Sequence, residues 1–168
     1  MSRRLAQGLR AQTAVVAFGA NLGDRAATIA EAAEELRALP LVDAVRVAEP
    51  ISSVAVTTDG PDASAPAYLN TVALVRTRLA PSLLLQALHA IEAAHGRVRA
   101  ERWGDRTLDL DLISYGDVVS DDPALQLPHP RAAERDFVLR PWLALDPEAR
   151  LPGAGSVARL LAGLQEER

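Results

Sequence analysis

The segment Leu108-Asp109-Leu110-Asp111-Leu112 alternates leucine and aspartate without a break. At a period of two, successive side chains fall on opposite faces of a strand, so the three leucines share one face and both carboxylates share the other. The fold must therefore hold a strand with one buried face and one face that tolerates two negative charges. With about 3.3 Å of rise per residue the two Asp Cα atoms lie about 6.6 Å apart, and from there the carboxylates can converge on divalent ions roughly 3.5 to 4 Å apart. A hard, oxygen-liganded ion such as Mg²⁺, which bridges substrate phosphates through one or two carboxylates, suits the pair. A solvated edge-strand face is the plain alternative.

What precedes the alternation favours phosphate chemistry. Arg97, Arg99, Arg102 and Arg106 crowd the approach to it, bracketed by Gly96 and Gly104. Guanidinium forks match phosphate oxygens bidentately and stay charged at any working pH. The chain has no lysine, so all of its side-chain cations apart from histidine are arginines, and a lysine-bearing P-loop is excluded. It has no cysteine, which removes disulfides, thiolate metal sites and a Cys nucleophile. The net charge of -4 argues against non-specific nucleic-acid binding. No apolar run approaches the length of a membrane span, and Met1 to Gln12 lacks the apolar centre of a signal peptide. Residues 1–12 read as a flexible extension, residues 13–168 as one domain, and the protein as cytoplasmic.

Along the chain, Thr13 to Phe18 suits a buried strand that ends at the glycine turn Gly19 to Gly23, with Asp24 as a helix N-cap. Ala26 to Leu39 follows helical periodicity until Pro40. Val42 to Ala48 reads as a strand, Glu49 to Ala67 as a long loop, and Tyr68 to Val75 as a strand. Pro81 opens a helix with Leu84, Leu88 and Ile91 on its apolar stripe and Gly96 as its cap. The aspartate strand then spans Thr107 to Tyr115. This order predicts an α+β ferredoxin-like βαββαβ sandwich, a mainly antiparallel sheet with helices on one face and a site on the other. After Gly116 the pattern breaks into short pieces that end in a helix from Ser156 to Leu164.

Residues 97–112, taken with Glu92, His129, Arg135 and Gly19-Ala20-Asn21-Leu22-Gly23, resemble the 6-hydroxymethyl-7,8-dihydropterin pyrophosphokinase family of the folate pathway. Arg102-Trp103-Gly104 through Arg106-Thr107-Leu108-Asp109-Leu110-Asp111 carries its most distinctive signature. The resemblance implies transfer of a pyrophosphoryl group from ATP to the pterin hydroxymethyl oxygen, with attack at the β-phosphorus and release of AMP. It implies two Mg²⁺ ions on Asp109 and Asp111, and Arg97 and Arg106 closing over the phosphates. His89, Glu92, Arg99, Arg102, Leu112, His129 and Arg135 fall on its ATP side. On the pterin side it implies Ser53 and Val56 in a loop, Tyr68 and Phe137 as a stacking pair, Asn70 reading the ring edge, and Trp103 swinging in. Asn21 matches the motif asparagine of a loop beside the site. The implied partners are ATP and the dihydropterin, with no nucleic acid and no membrane, acting on a monomer.

The chain departs from the family pattern at Ile51 to Val56, at Asp105, at His89 in place of a glutamine, and at Ala124. On the residues alone, Phe137 also suits a core position, Asn70 a solvent-facing one, His129 a surface turn and Glu92 a helix surface. Two other functions stay open: a two-metal phosphohydrolase using the same aspartates, and a ferredoxin-like RNA-binding module using the arginines.

Overall fold

The computed structural model describes residues 10–53, 55–57, 60–62, 67–96 and 108–167, with side chains omitted for residues 54–66. Arg97, Arg99, Arg102, Trp103, Asp105 and Arg106 lie outside the described residues, as does the side chain of Val56. The chain opens with β1 (Gln12–Ala20), α1 (Arg25–Arg37) and β2 (Val42–Val47), followed by the short β3 (Ile51–Ser53), β4 (Ala55–Thr57) and β5 (Gly60–Asp62). Next come β6 (Tyr68–Thr77), α2 (Pro81–Gly96) and β7 (Asp109–Tyr115), then β8 (Ser120–Asp122) and β9 (Leu125–Leu127). A 3-10 turn at Ala132–Glu134 leads into α3 (Asp136–Leu145), β10 (Arg150–Leu151), β11 (Gly155–Ser156) and α4 (Val157–Glu166).

The expected βαββαβ order is present. The main sheet runs β2-β6-β1-β7, with its neighbouring strands antiparallel and β7 at one edge. Asp24 caps α1 by accepting from the Ala27 amide at 3.1 Å, which satisfies one of the helix's orphan donors. Against one sheet face α1 and α2 bury a cluster that includes Phe18, Leu36, Leu84, Leu88, Leu110 and Leu112. Each fully buried side chain of this size contributes about 1.5–3 kcal/mol. Leu108, Leu110 and Leu112 all fall on this face, as their alternation requires.

Three expectations need correction. The second sheet face is not left free: α3 and α4 cover part of it through Val15, Val72, Ile113, Leu139, Trp142 and Val157. The helix α3 was hidden in the short pieces after Gly116 because Pro141 stands inside it, and proline normally ends a helical pattern. The stretch from Glu49 to Ala67 is not one loop. Its β3 joins the main sheet against β6, and β4 and β5 form a hairpin.

The aspartate strand also carries a bulge. Val16 pairs with Leu112 while Val15 pairs with Ser114, so Ile113 is an extra residue on β7. Alternation alone places Ile113 on the face of Asp109 and Asp111, in the second cluster, and the extra residue returns Tyr115 to the first. Bulges re-aim side chains in this way where a sheet edge serves a site.

Candidate active site

Sheet register decides which residues share the open part of the second face. Gly19 lies opposite Asn70 on β6 and opposite Asp109 on β7, and Ala17 lies opposite Val72 and Asp111. Ser53 on β3 stands opposite Tyr68. Because paired residues point the same way, Ser53, Tyr68, Asn70, Asp109 and Asp111 rise from one surface. They line a cleft of about 840 Å³, closed on its other side by Arg135 and Phe137.

Within this cleft the amide of Asn70 is oriented. Its Nδ2 donates to Ser53 Oγ at 2.6 Å. Its Oδ1 lies over Gly19, 3.4 Å from where a Cβ would stand. The amide therefore presents an acceptor to the cleft and spends a donor on Ser53. Phe137 packs against the second cluster, as its core reading expects, and lines the cleft as well. The Arg135 guanidinium sits 5.7 Å from the Phe137 ring centroid and 3.5 Å from Asp111 Oδ2.

A second pocket of about 180 Å³ follows the outer edge of β7, lined by His89, Leu112, Leu125 and His129 among others. Asp111 lines this pocket and the large cleft alike. His129 is tied to the edge by its own amide, which donates to the Ile113 carbonyl at 2.8 Å, the carbonyl of the bulge residue. Its Nδ1 accepts from the Arg131 amide at 3.2 Å, which places the proton of the neutral ring on Nε2. That Nε2 faces Asp111 Oδ1 at 4.0 Å. Burial lowers the His129 pKa below the ordinary histidine value, Arg135 and Arg131 lower it further, and Asp111 opposes them. The neutral ring is thus the resting form at neutral pH.

The structure brings most of the described site residues together in two groups. Ser53, Tyr68, Asn70 and Phe137 line the large cleft, and His89, Leu112 and His129 line the small pocket, with Asp111 common to both. Arg135 stands in the large cleft beside Asp111. Glu92 lines neither; its Oε1 accepts from the Leu110 amide at 2.6 Å. Asn21 is buried directly after β1, and its Oδ1 has no hydrogen-bond partner among the described residues. Gly19, Arg131 and Arg140 also line the large cleft. The register opposite Asn70 marks Gly19, whereas Arg131 and Arg140 carry no pattern readable before α3 is known.

The donor set fits a hard divalent ion. Two carboxylates rise from one strand face, no thiolate exists in the chain, and Asp111 keeps 40% exposure beside its histidine and arginine neighbours. Oxygen ligands with room for water are what Mg²⁺ requires. Among the described residues no group of three or more acidic, His or Cys side chains forms a closed metal cage.

A 2-amino-4-hydroxy-6-hydroxymethyldihydropteridine pyrophosphokinase of Pseudomonas aeruginosa is 42% identical over 156 residues, covering 90% of this chain and 91% of that protein. The Schizosaccharomyces pombe folic acid synthesis protein fol1 is 37% identical over 135 residues, which span 80% of this chain and 18% of that longer protein. Among solved structures, a Plasmodium falciparum HPPK-DHPS A437G chain with STZ-DHP superposes with a TM-score of 0.70 at 12% identity. That match covers 97% of this chain and 47% of the other, and it speaks for the fold alone. The family described as 7,8-dihydro-6-hydroxymethylpterin-pyrophosphokinase (HPPK) matches residues 15–147, across both strands of the aspartate ladder and the whole of the cleft-lining set, and the chain belongs to that family.

Proposed function

We propose that the chain transfers a pyrophosphoryl group from ATP to the hydroxymethyl oxygen of 6-hydroxymethyl-7,8-dihydropterin, releasing AMP, in folate biosynthesis. The observation that carries this reading is the position of Asp111, which lines both an aromatic and amide-lined cleft and a smaller pocket beside His89 and His129. A reaction between two substrates needs a charged centre at the junction of two sites. The substrates are small molecules, on which the chain acts as a cytoplasmic monomer.

In the large cleft Tyr68 and Phe137 hold the flat ring by stacking. Asn70 Oδ1 accepts from the ring's N–H edge, while Ser53 keeps the amide from turning. In the small pocket Leu112 and Leu125 give the adenine an apolar bed, with His89 and His129 at its margin. Arg135, fixed between Asp111 and Phe137, offers a guanidinium to the phosphates. The neutral His129 Nε2–H faces the same region and donates to a phosphate oxygen. The family resemblance assigns Arg97 and Arg106 to the phosphates and Trp103 to the pterin. Asp109 and Asp111 would hold two Mg²⁺ ions, which would neutralise phosphate charge and lower the pKa of the attacking hydroxyl. The catalysis left to the protein is alignment and charge stabilisation.

Asp109→Asn and Asp111→Asn test the reading. Several kcal/mol of charge stabilisation lost is a fall in kcat of about 10²-fold or more, while fluorescence titration shows pterin affinity kept within about two-fold. Full turnover in Asp111→Asn would overturn the assignment of the carboxylates.

A further inference from the structure

Among the residues that touch neither cleft, Glu92 has the most specific contact. It lies half-buried on the last turns of α2, and its Oε1 accepts from the Leu110 amide at 2.6 Å. Leu110 stands between Asp109 and Asp111. In an antiparallel strand, alternate backbone N–H groups point to opposite edges, and among the described residues β7 is an edge strand with β1 on one side only. The Leu110 N–H is directed to the side without a strand, and Glu92 supplies the acceptor that a further strand would have given.

The side chains divide accordingly. Leu110 faces the α1 and α2 layer together with Leu88 and Ile91, and Glu92 follows Ile91 on the helix that packs there. Asp109 and Asp111, one residue to either side, face the cleft. The contact therefore clamps the backbone at the midpoint of the carboxylate pair, from the helical side, without entering either substrate cleft.

We propose that Glu92 is a positioning residue: its carboxylate oxygen replaces the missing ladder partner of Leu110 and so holds Asp109 and Asp111 at one spacing for the divalent ions. The inference rests on the carboxylate reading above. It requires an acceptor oxygen at the right reach and no charge. Glutamine, which keeps that oxygen, preserves the function, and alanine loses it. Residues that orient metal ligands from behind typically matter by about 10- to 100-fold in metal affinity or activity.

The experiment compares Glu92→Gln and Glu92→Ala in the full chain by two readouts: backbone amide hydrogen exchange at Leu110 by NMR in the absence of nucleotide, and the MgCl₂ concentration giving half-maximal turnover with ATP and the dihydropterin. In Glu92→Ala, Leu110 exchange accelerates and the Mg²⁺ requirement rises about ten-fold. Glu92→Gln restores both toward the wild type. The proposal is overturned if Glu92→Ala leaves Leu110 exchange and the Mg²⁺ requirement unchanged, or if Glu92→Gln is as impaired as Glu92→Ala, since charge and not an acceptor would then be what matters. An Asp111→Asn variant with the wild-type Mg²⁺ requirement would overturn the carboxylate reading itself, and with it the consequence for the metal. That result stands apart because Leu110 exchange in Glu92→Ala reports the clamp without any metal.

Discussion

Asn70 shows how one side chain is set by another. An amide can present either its oxygen or its NH₂ to a ligand; the Tyr68 carbonyl, an acceptor only and 3.5 Å from Nδ2, selects the oxygen, and the 2.6 Å bond to Ser53 Oγ holds the amide in that orientation. Removing that hydroxyl frees the amide to rotate and costs about 1 to 1.5 kcal/mol of ring recognition, on the scale of one hydrogen bond. Ser53→Ala is expected to raise the KM for the pterin about five- to ten-fold, on the same hydrogen-bond scale, with kcat and the KM for ATP little changed. Ser53→Thr restores the bond and the KM. A Ser53→Ala enzyme with unchanged pterin KM would show that Asn70 is oriented by something else. At this scale much was legible. The Leu/Asp alternation placed both carboxylates on one face, and the family resemblance picked out Tyr68, Asn70 and Phe137, which do line one cleft. The pairing of Arg135 with both Asp111 and Phe137 was not legible, because it depends on where α3 meets the sheet.

At the scale of elements, local sequence rules served the first half of the chain better than the second. Asp24 and Pro81 mark their helix starts because caps and first-turn prolines act within a few residues. The bulge at Ile113 and the helix α3 obey tertiary demands, which override the local pattern. The turn between α1 and β2 shows the same tension. Leu41 adopts a φ of 65°, and its carbonyl accepts from the Arg78 amide at 2.8 Å and from Thr77 Oγ1 at 3.0 Å. A side chain branched at Cβ suffers most in this region, so Leu41→Ile is expected to lose about 1–2 kcal/mol, with Leu41→Asn losing less. Urea denaturation ranks the two, and the reverse order would mean that packing of Leu41 outweighs its backbone.

The end of β7 offers a pH test on the same scale. Tyr115 is buried, its hydroxyl donates to the Leu79 carbonyl, and burial raises its pKa above the ordinary value of 10.0. The folded state then holds the phenolic proton at a pH where the unfolded chain has released it. The stability from this group is present in full below pH 10 and is lost as pH rises through the higher folded value. Tyr115→Phe is expected to be less stable by about 1 kcal/mol at neutral pH and to show a shallower alkaline decline in melting temperature. An unchanged alkaline slope in Tyr115→Phe would assign that decline to other groups.

Taken whole, the molecule is a sheet whose faces do different work. One face is sealed by α1 and α2. The other is shared between the α3 and α4 cover and an open region that holds the cleft. The expectation of one free face was half right: the aspartates do face a cleft, and the rest of that surface is core. The segment after Gly116 has too few periodic residues to announce that second core, whose members come from β1, β6, β7, the two late helices and the short pieces around them at Ala132, Ala149 and Leu151. Glycine at position 19 keeps the cleft floor flat at the centre of the sheet, and the edge position of β7 lets one carboxylate serve two pockets.

The central claim is that both terminal phosphates of ATP leave together. Incubation of the protein with Mg²⁺, ATP labelled at the β and γ positions, and 6-hydroxymethyl-7,8-dihydropterin, followed by separation of products, reads this directly. The account predicts AMP and a pterin carrying both labels in equal amounts, formed only when the pterin is present. ADP with a singly labelled pterin, or nucleotide breakdown that does not need the pterin, would contradict it.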